Sequence, residues 1–394
     1  MKTQQPTLNR GLSVDPRQTE LYLDLARCRW KQGELDQARI VLGAAVEQDP
    51  ANLLITKFLI EVLVRQNNWP ALHREMLRRA YLDYSGAALE WETCCVNLLF
   101  GVMPEGWDQH ESRWNNPGLT NPKREFPQPL WDGSAFQGRT LLLHCEQGFG
   151  DTLMFVRYAP LVKALGGKVL LLAQPELVDL VATCPGVDLV IVEGSPIPPF
   201  DLHLPLMSLP RVFHTDLECI PAEIPYLDVP EQVPNREAID ALLAASRSPT
   251  RIGVSWCGNP SHARDAQRSI APGALLPLRS LPAVAWFSFQ HNVVEMPPLY
   301  GIASVAPLLS NFSDTAYALS GMDLLITVDT AMAHLAGALG IPTLLLVSFL
   351  PDWRWLMGRD DSPWYPTLRI YRQATFGDWE APLRQMVADL TQDG

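Results

Sequence analysis

Three short stretches hold residues whose types and spacing suit work on a charged substrate. The first runs Asp329-Thr330-Ala331-Met332-Ala333-His334-Leu335-Ala336-Gly337-Ala338-Leu339-Gly340-Ile341-Pro342, following an apolar strand and opening a helix. Such a turn presents free backbone N–H groups and the positive end of the helix, a ready anion site suited to a pyrophosphate. Asp329 offers an acceptor for a ribose or sugar hydroxyl. The same residues also suit an ordinary turn in which Asp329 caps the helix and His334 packs against the sheet. The second stretch is a glycine loop, Glu146-Gln147-Gly148-Phe149-Gly150-Asp151, whose final carboxylate either meets a substrate or caps the next helix. With two glycines and an acid after them, it is a poor dinucleotide fingerprint. The third, Gly258-Asn259-Pro260-Ser261-His262-Ala263-Arg264-Asp265-Ala266-Gln267-Arg268-Ser269, reads as a basic functional loop or a solvated surface loop.

These stretches need rigid elements to present them. RTLLLHC (139–145), KVLLLA (168–173) and DLVIV (188–192) are short apolar runs suited to buried parallel strands. Helical patterns over Thr152 to Leu165 and Pro175 to Thr183 alternate with them. Residues 195–235 read as irregular and proline-rich, closing a first lobe. A second series of strands is expected at 251–256, 285–290, 323–328 and 343–348, with helices near 274–278, 313–320 and 330–339. Alternation of this kind predicts two doubly wound α/β lobes with a cleft at the carboxyl ends of their sheets.

Ahead of the lobes, residues 15 to about 90 read as helix. Asp15-Pro16 recurs as Asp49-Pro50, 34 residues on, the period of a tetratricopeptide repeat. Leu25-Ala26, Ala38, Leu42 and Ala45 fill the expected helix contacts of one good repeat. A second, degenerate repeat follows, with Trp69-Pro70 interrupting where its second helix should begin. The segment reads either as a docking surface or as a cap on its neighbour. Trp107, Glu111 and Trp114 share one helix face, and Pro117, Pro122, Pro127 and Pro129 mark an extended linker.

Composition narrows the classes. A net charge of −12 over 394 residues leaves no basic surplus for nucleic acid or anionic membrane. The apolar runs are of strand length, too short to span a membrane, and Met1 to Arg17 lacks the apolar core of a secretion signal. Seven scattered cysteines, with no C-x-x-C pair, predict reduced thiols, no structural metal and a cytoplasmic location.

The blocks LLLHCEQGFGDTLMFVRY, SWCGNP…RSI, DTAMAHLAGALGIP and PDWRW…DSPWYP resemble glycosyltransferase family 9, the bacterial heptosyltransferase group, over about residues 104–373. Ala331 replaces that family's usual glycine and Gly337 its alanine. The resemblance implies a GT-B fold of two Rossmann-like lobes. It also implies an inverting, metal-independent transferase that needs no cofactor and uses a nucleotide-diphosphate sugar as substrate. By that resemblance Asp151 is the base, with Glu146 as rival and His144 a weaker candidate, and Gln147, Gly148 and Gly150 complete the acceptor side. Donor contacts are expected from Gly258, Asn259, Arg268, Ser269, Gln290, Asp329, Thr330, Ala331, Met332, Ala333 and His334, with Arg264 in reserve for Arg268. Gln290 suits the nucleobase or ribose, or is only a polar strand end. Trp353 and Arg354 wall the donor pocket or pack between the lobes.

Repeats ahead of such lobes resemble a recurrent bacterial class, some of whose relatives modify flagellin. The implied acceptor is a protein docked on the repeats. The alternatives are a lipopolysaccharide or other glycan acceptor, and a binding protein without turnover. The expected domains are 1–100 repeat-like, 101–137 helix and linker, 138–248 acceptor lobe, 249–373 donor lobe, and 374–394 a helix returning to the first lobe.

Overall fold

The structure is a computed structural model describing residues 16–116, 123–246, 248–262, 264–291 and 295–392. Asp15 of the first repeated dipeptide, Pro117 and Pro122 of the linker and Ala263 of the basic loop lie outside the described residues. The chain divides into two compact units, Met1–Tyr84 and Ser85–Gly394. The sequence boundary near residue 100 thus gives way to one at Tyr84.

The first unit is two helical hairpins: α1 (Pro16–Lys31) with α2 (Leu35–Gln48), and α3 (Leu53–Arg65) with α4 (Trp69–Asp83). Ala26, Ala38, Leu42 and Ala45 are fully buried, as the small and apolar consensus positions require, whereas Leu25 is exposed. Trp69-Pro70 begins α4 instead of interrupting it. Pro70 sits in the first turn, where its missing N–H costs nothing, and Asn68 caps the N–H of Ala71.

The second unit opens with α5 (Gly86–Leu99) and α6 (Met103–His110), followed by a 3₁₀ turn, Glu111–Asn115. Trp107 and Trp114 therefore do not share one continuous α-helix. The first lobe carries β1 (Thr140–His144), α7 (Phe149–Phe155), α8 (Ala159–Ala164), β2 (Lys168–Ala173), α9 (Val178–Val181), β3 (Leu189–Val192), β4 (Leu202–Pro205) and α10 (Leu209–Val212). Its strands are all parallel, in the order β3-β2-β1-β4. β4 corrects the expectation that 195–235 is irregular: four residues ending in proline are too short to show a period. The helix expected over 152–165 is broken at Val156–Tyr158 by a 3₁₀ turn.

The second lobe follows α11 (Arg236–Ala244). It holds β5 (Thr250–Ser255), α12 (Asp265–Arg268), β6 (Val284–Ser288), β7 (Ala303–Ser304), α13 (Phe312–Ser320), β8 (Leu324–Val328), α14 (Ala331–Ala338), β9 (Thr343–Val347) and β10 (Leu368–Arg372), closing with α15 (Glu380–Gln392). The sheet order is β10-β9-β8-β5-β6-β7, again parallel throughout. Leu383 and Met386 of α15 enter this lobe's core beside Tyr371, so α15 covers the second sheet and does not return to the first. Two Rossmann-like parallel-sheet lobes preceded by repeat-like helices is the architecture the alternation predicted.

Candidate active site

The first lobe's loop leaves β1 at Cys145 and enters α7 through Gly148. Asp151, in the first turn of α7, turns back so that its Oδ2 accepts the Gly148 N–H at 2.9 Å. Glycine at 150 lets this turn lie directly on the second lobe. A β-carbon there would stand 2.8 Å from His334 Cδ2 and 3.6 Å from the Ala331 Cα. Phe149 meets Phe312 of α13 beside it, at 5.0 Å between ring centroids. The starts of α7 and α14 thus adjoin, and Asp151 stands between the carboxyl ends of both sheets.

The other acids and bases expected on the acceptor side are committed elsewhere. Glu146 is buried and paired with Arg113, Oε2 to Nε at 2.7 Å and Oε1 to Nη2 at 3.1 Å, and it also accepts the Met207 N–H. Its carboxylate anchors the root of the loop, which removes it as the rival base. His144 is turned beneath Phe126 and shares a 3.4 Å contact with His203. Burial lowers its pKa to about 3, so it stays neutral in the lobe interior, away from the proton-transfer position. Gln147 contributes its carbonyl to Gln174 Nε2.

In the second lobe Thr330, not Asp329, caps α14, its Oγ1 accepting the Met332 N–H at 3.3 Å. Asp329, Thr330, Ala331 and Met332 stay partly exposed at the helix start. Ala333 and His334 are buried. His334 Nδ1 meets the Tyr365 hydroxyl at 2.8 Å, and its ring stacks on Trp355. Burial, with Arg354 nearby, brings its pKa to about 3. Tyr365 lies against Gly337, where a β-carbon would fall 2.2 Å from the ring; the departure from alanine at 337 has this physical cause.

The basic loop folds over the same helix start. Arg268 Nη1 donates to the Asp329 carbonyl at 2.9 Å, and its guanidinium lies against Gly258, where a β-carbon would fall 2.7 Å from Nη2. Ser269 Oγ accepts the Gly258 N–H and donates to Asp265. Asn259 is exposed and stabilises its own turn by accepting the Ser261 N–H. Arg264 is exposed on the same loop. Gln290 is turned inward, its carboxamide oxygen accepting the N–H groups of Trp256 and Cys257. That use fixes the end of β5.

Trp353 is buried between the lobes, edge-on to Trp107 at 5.3 Å and near Phe155, the packing position that the sequence also allows. Arg354 reaches the cleft. Its Nη1 bonds Asp352 at 2.7 Å, its Nη2 pairs with Asp151 Oδ1 across the lobes, and its Nε–H has no partner among the described residues. Two carboxylates, Asp151 and Asp352, therefore bond one buried guanidinium, and the charge of Asp329 acts on it as well. Burial and the charge of Asp352 push the Asp329 pKa up to about 6, while Asp352, held by Arg354, stays below the usual carboxylate range.

The sequence alone does not mark Arg113 or Asp352 as site residues. Asp352 stands beside the two residues singled out, as the cap of their turn. The N–H groups of Arg113 serve the neighbouring Glu111 carboxylate and His110 carbonyl, and also Glu146 and Ser208, which only folding brings to it.

Residues 5–57 match the family model of the tetratricopeptide repeat. Protein FlbA of Caulobacter vibrioides is 26% identical over 334 residues, 77% of this chain and 55% of FlbA. The chain thus spans about half the length of the curated relative it matches. Among solved structures, the glycosyl transferase family 9 protein of Veillonella parvula superposes with a TM-score of 0.48 at 9% identity, covering 67% of this chain and 99% of its own. E. coli ADP-heptose lps heptosyltransferase II gives 0.44 at 13%, covering 64% and 98%. The iron-containing dodecameric glycosyltransferase TibC of enterotoxigenic E. coli gives 0.42 at 14%, covering 66% and 78%. No helix among the described residues is long and apolar enough to cross a membrane. The chain carries a tetratricopeptide repeat at its N-terminus, followed by a two-lobed parallel α/β region.

Proposed function

We propose that the protein is an inverting glycosyltransferase using a nucleotide-diphosphate sugar, with a protein hydroxyl as acceptor. One observation carries this reading: Gly150 brings Asp151 of the first lobe against the start of α14 in the second. A carboxylate and an anion-binding helix start then share one cleft, the two groups that displacement at an anomeric carbon requires. The donor's phosphates lie at Thr330, Ala331 and Met332, with the Arg268 guanidinium over the Asp329 carbonyl and Gly258 and Ser269 shaping that loop. The acceptor oxygen attacks the anomeric carbon, its proton passes to Asp151, and the bond to the diphosphate breaks with its electrons on the leaving phosphate. Helix start and arginine carry that charge, so the reaction proceeds without a metal or other cofactor.

The acceptor assignment rests on the repeat unit, which carries a polar groove of about 1090 Å³ lined by Arg29, Glu34, Asp36, Arg39, Gln66 and Asn68. A lipopolysaccharide or other glycan acceptor is the second reading. The acidic chain disfavours a membrane-bound one.

Calorimetric titration with UDP, GDP, ADP and CMP, with and without EDTA, tests the donor half. One nucleoside diphosphate should bind, equally well with the chelator present. Binding by none of the three diphosphates, or by CMP alone, would sink the reading.

A further inference from the structure

We infer that Arg354 is a positioning residue for Asp151, so that a side chain of the second lobe aligns the first lobe's base. The inference deepens, and rests on, the reading in which Asp151 takes the acceptor's proton.

Arg354 is held at three points. At its backbone, the 3₁₀ turn Trp353–Trp355 is capped by Asp352, whose Oδ1 accepts the Arg354 N–H at 3.1 Å. At its head, the same Oδ1 accepts Nη1 at 2.7 Å. The guanidinium carbon lies over the Trp353 ring, 4.1 Å from its centroid. That ring is itself fixed between Trp107, His110 and Phe155. A side chain that normally samples many rotamers is thus committed to one, with Nη2 aimed at Asp151 Oδ1.

Asp151 needs such a partner. Its Oδ2 is held within its own loop by the Gly148 N–H, a single contact that leaves the carboxylate free to rock. The bond from Arg354 takes the other oxygen and fixes the carboxylate plane. Each oxygen keeps a lone pair beyond the one used, so alignment does not block proton transfer.

Holding the lobes together is a weaker account of the contact. The side chains of Arg354 and Asp151 are only 11% and 16% exposed, and burying charge costs desolvation that an ion pair barely recovers. Trp107 already joins the lobes through apolar edges to Phe155 on one side and Trp353 and Trp364 on the other. The ion pair adds direction, which apolar contact does not supply. It also makes the base well aligned only when both lobes are in register, because Asp352 and Arg354 belong to one lobe and Asp151 to the other.

The test uses the full chain and hydrolysis of whichever UDP-, GDP- or ADP-sugar corresponds to the nucleoside diphosphate that binds; water there stands in for the acceptor hydroxyl. Arg354→Ala should lower kcat by up to about 10²-fold, the scale of a misplaced reacting group. Affinity for the nucleoside diphosphate should stay within about twofold of wild type on the same footing. Guanidinium ion, at concentrations that leave wild type unchanged, should restore part of the loss. In an Asp151→Asn background the arginine replacement should cost nothing further. If Arg354→Ala does not fold, Arg354→Lys should show the same split between kcat and affinity with a smaller loss.

Three results overturn the inference. One is affinity falling while saturated kcat stays normal, which makes Arg354 a donor ligand acting through its unpartnered Nε–H. Another is a loss that multiplies with that of Asp151→Asn. The third, an inactive Asp151→Asn beside a normal Arg354→Ala, sinks the inference alone, whereas normal turnover in Asp151→Asn sinks the proposed reaction itself.

Discussion

Glu146 and Asp151 stand at opposite ends of one loop and use their charge in opposite ways. Glu146 has both oxygens bound within its own lobe region, to Arg113 and to the Met207 N–H, and its side chain is 3% exposed. Asp151 bonds one N–H of its own loop and reaches across to the other lobe, at the cleft surface. A saturated acid holds a backbone in place. An acid with spare lone pairs near solvent can exchange a proton. Residue type does not separate these two roles, and the partners do.

Replacing the cleft-facing acid, Asp151, should have the largest effect. Asp151→Asn keeps the size and the bond to Gly148 but cannot accept a proton, so kcat should fall about 10²–10⁴-fold. The denaturation midpoint and nucleoside-diphosphate affinity should hold. Normal turnover in this variant would erase the contrast between the two acids.

The buried end should fail in stability first. Arg113→Ala removes the cation that faces the buried Glu146 carboxylate, which costs about 3–5 kcal/mol by denaturant unfolding. An apolar replacement of both residues at matched volume should recover much of that loss. A loss under about 1 kcal/mol for the single variant would mean that Glu146 is solvated or protonated, and not the anchor described here.

Smaller effects are expected on the donor side, where backbone groups share the work. Arg268→Ala should weaken nucleoside-diphosphate binding by about 1.5–3 kcal/mol, the value of a hydrogen bond to a charged group. Unchanged calorimetric affinity would transfer the role to Arg264.

The smallest effect is one of pH. Asp329, with its pKa raised to about 6, is charged above that value and neutral below it. Asp352 stays ionised beside Arg354, and His334 stays neutral across the range. Diphosphate binding should therefore tighten modestly as pH falls through 6, since protonation removes a negative charge from the helix start. In folding, a raised carboxyl pKa works the same way: the native state holds the proton more tightly, so this group's unfavourable share grows as pH rises from about 4 to above 6. Asp329→Asn should bind diphosphate with no such pH step, and a step that persisted would have to arise elsewhere.

Much of the architecture was legible because apolar runs of five or six residues alternate with helical periods. β2 was read to the residue, from Lys168 to Ala173. β4 and β7 were not, because four and two residues carry no periodicity. Gly150, Asp151, Asp329, Thr330 and Arg268, which the fold gathers at one cleft, stand out in the sequence because each lies in the segment that leaves a strand. Glu146, His144 and Gln290 are polar at or beside a strand end, and only the fold decides whether such a side chain faces the cleft or the interior. Arg113 shows the converse limit, with an importance set by partners as far away in sequence as Ser208.

The contact between Gly337 and Tyr365 constrains how this cleft can change over generations. A methyl group at 337 and a ring at 365 exclude one another in the present backbone. An alanine at 337 becomes tolerable only after the aromatic side chain at 365 is trimmed, and trimming it removes the hydroxyl that meets His334. The route between this motif and its alanine-bearing counterpart therefore has a preferred order of steps, with an intermediate less ordered than either end. Two lineages that differ at position 337 should differ at 365 as well.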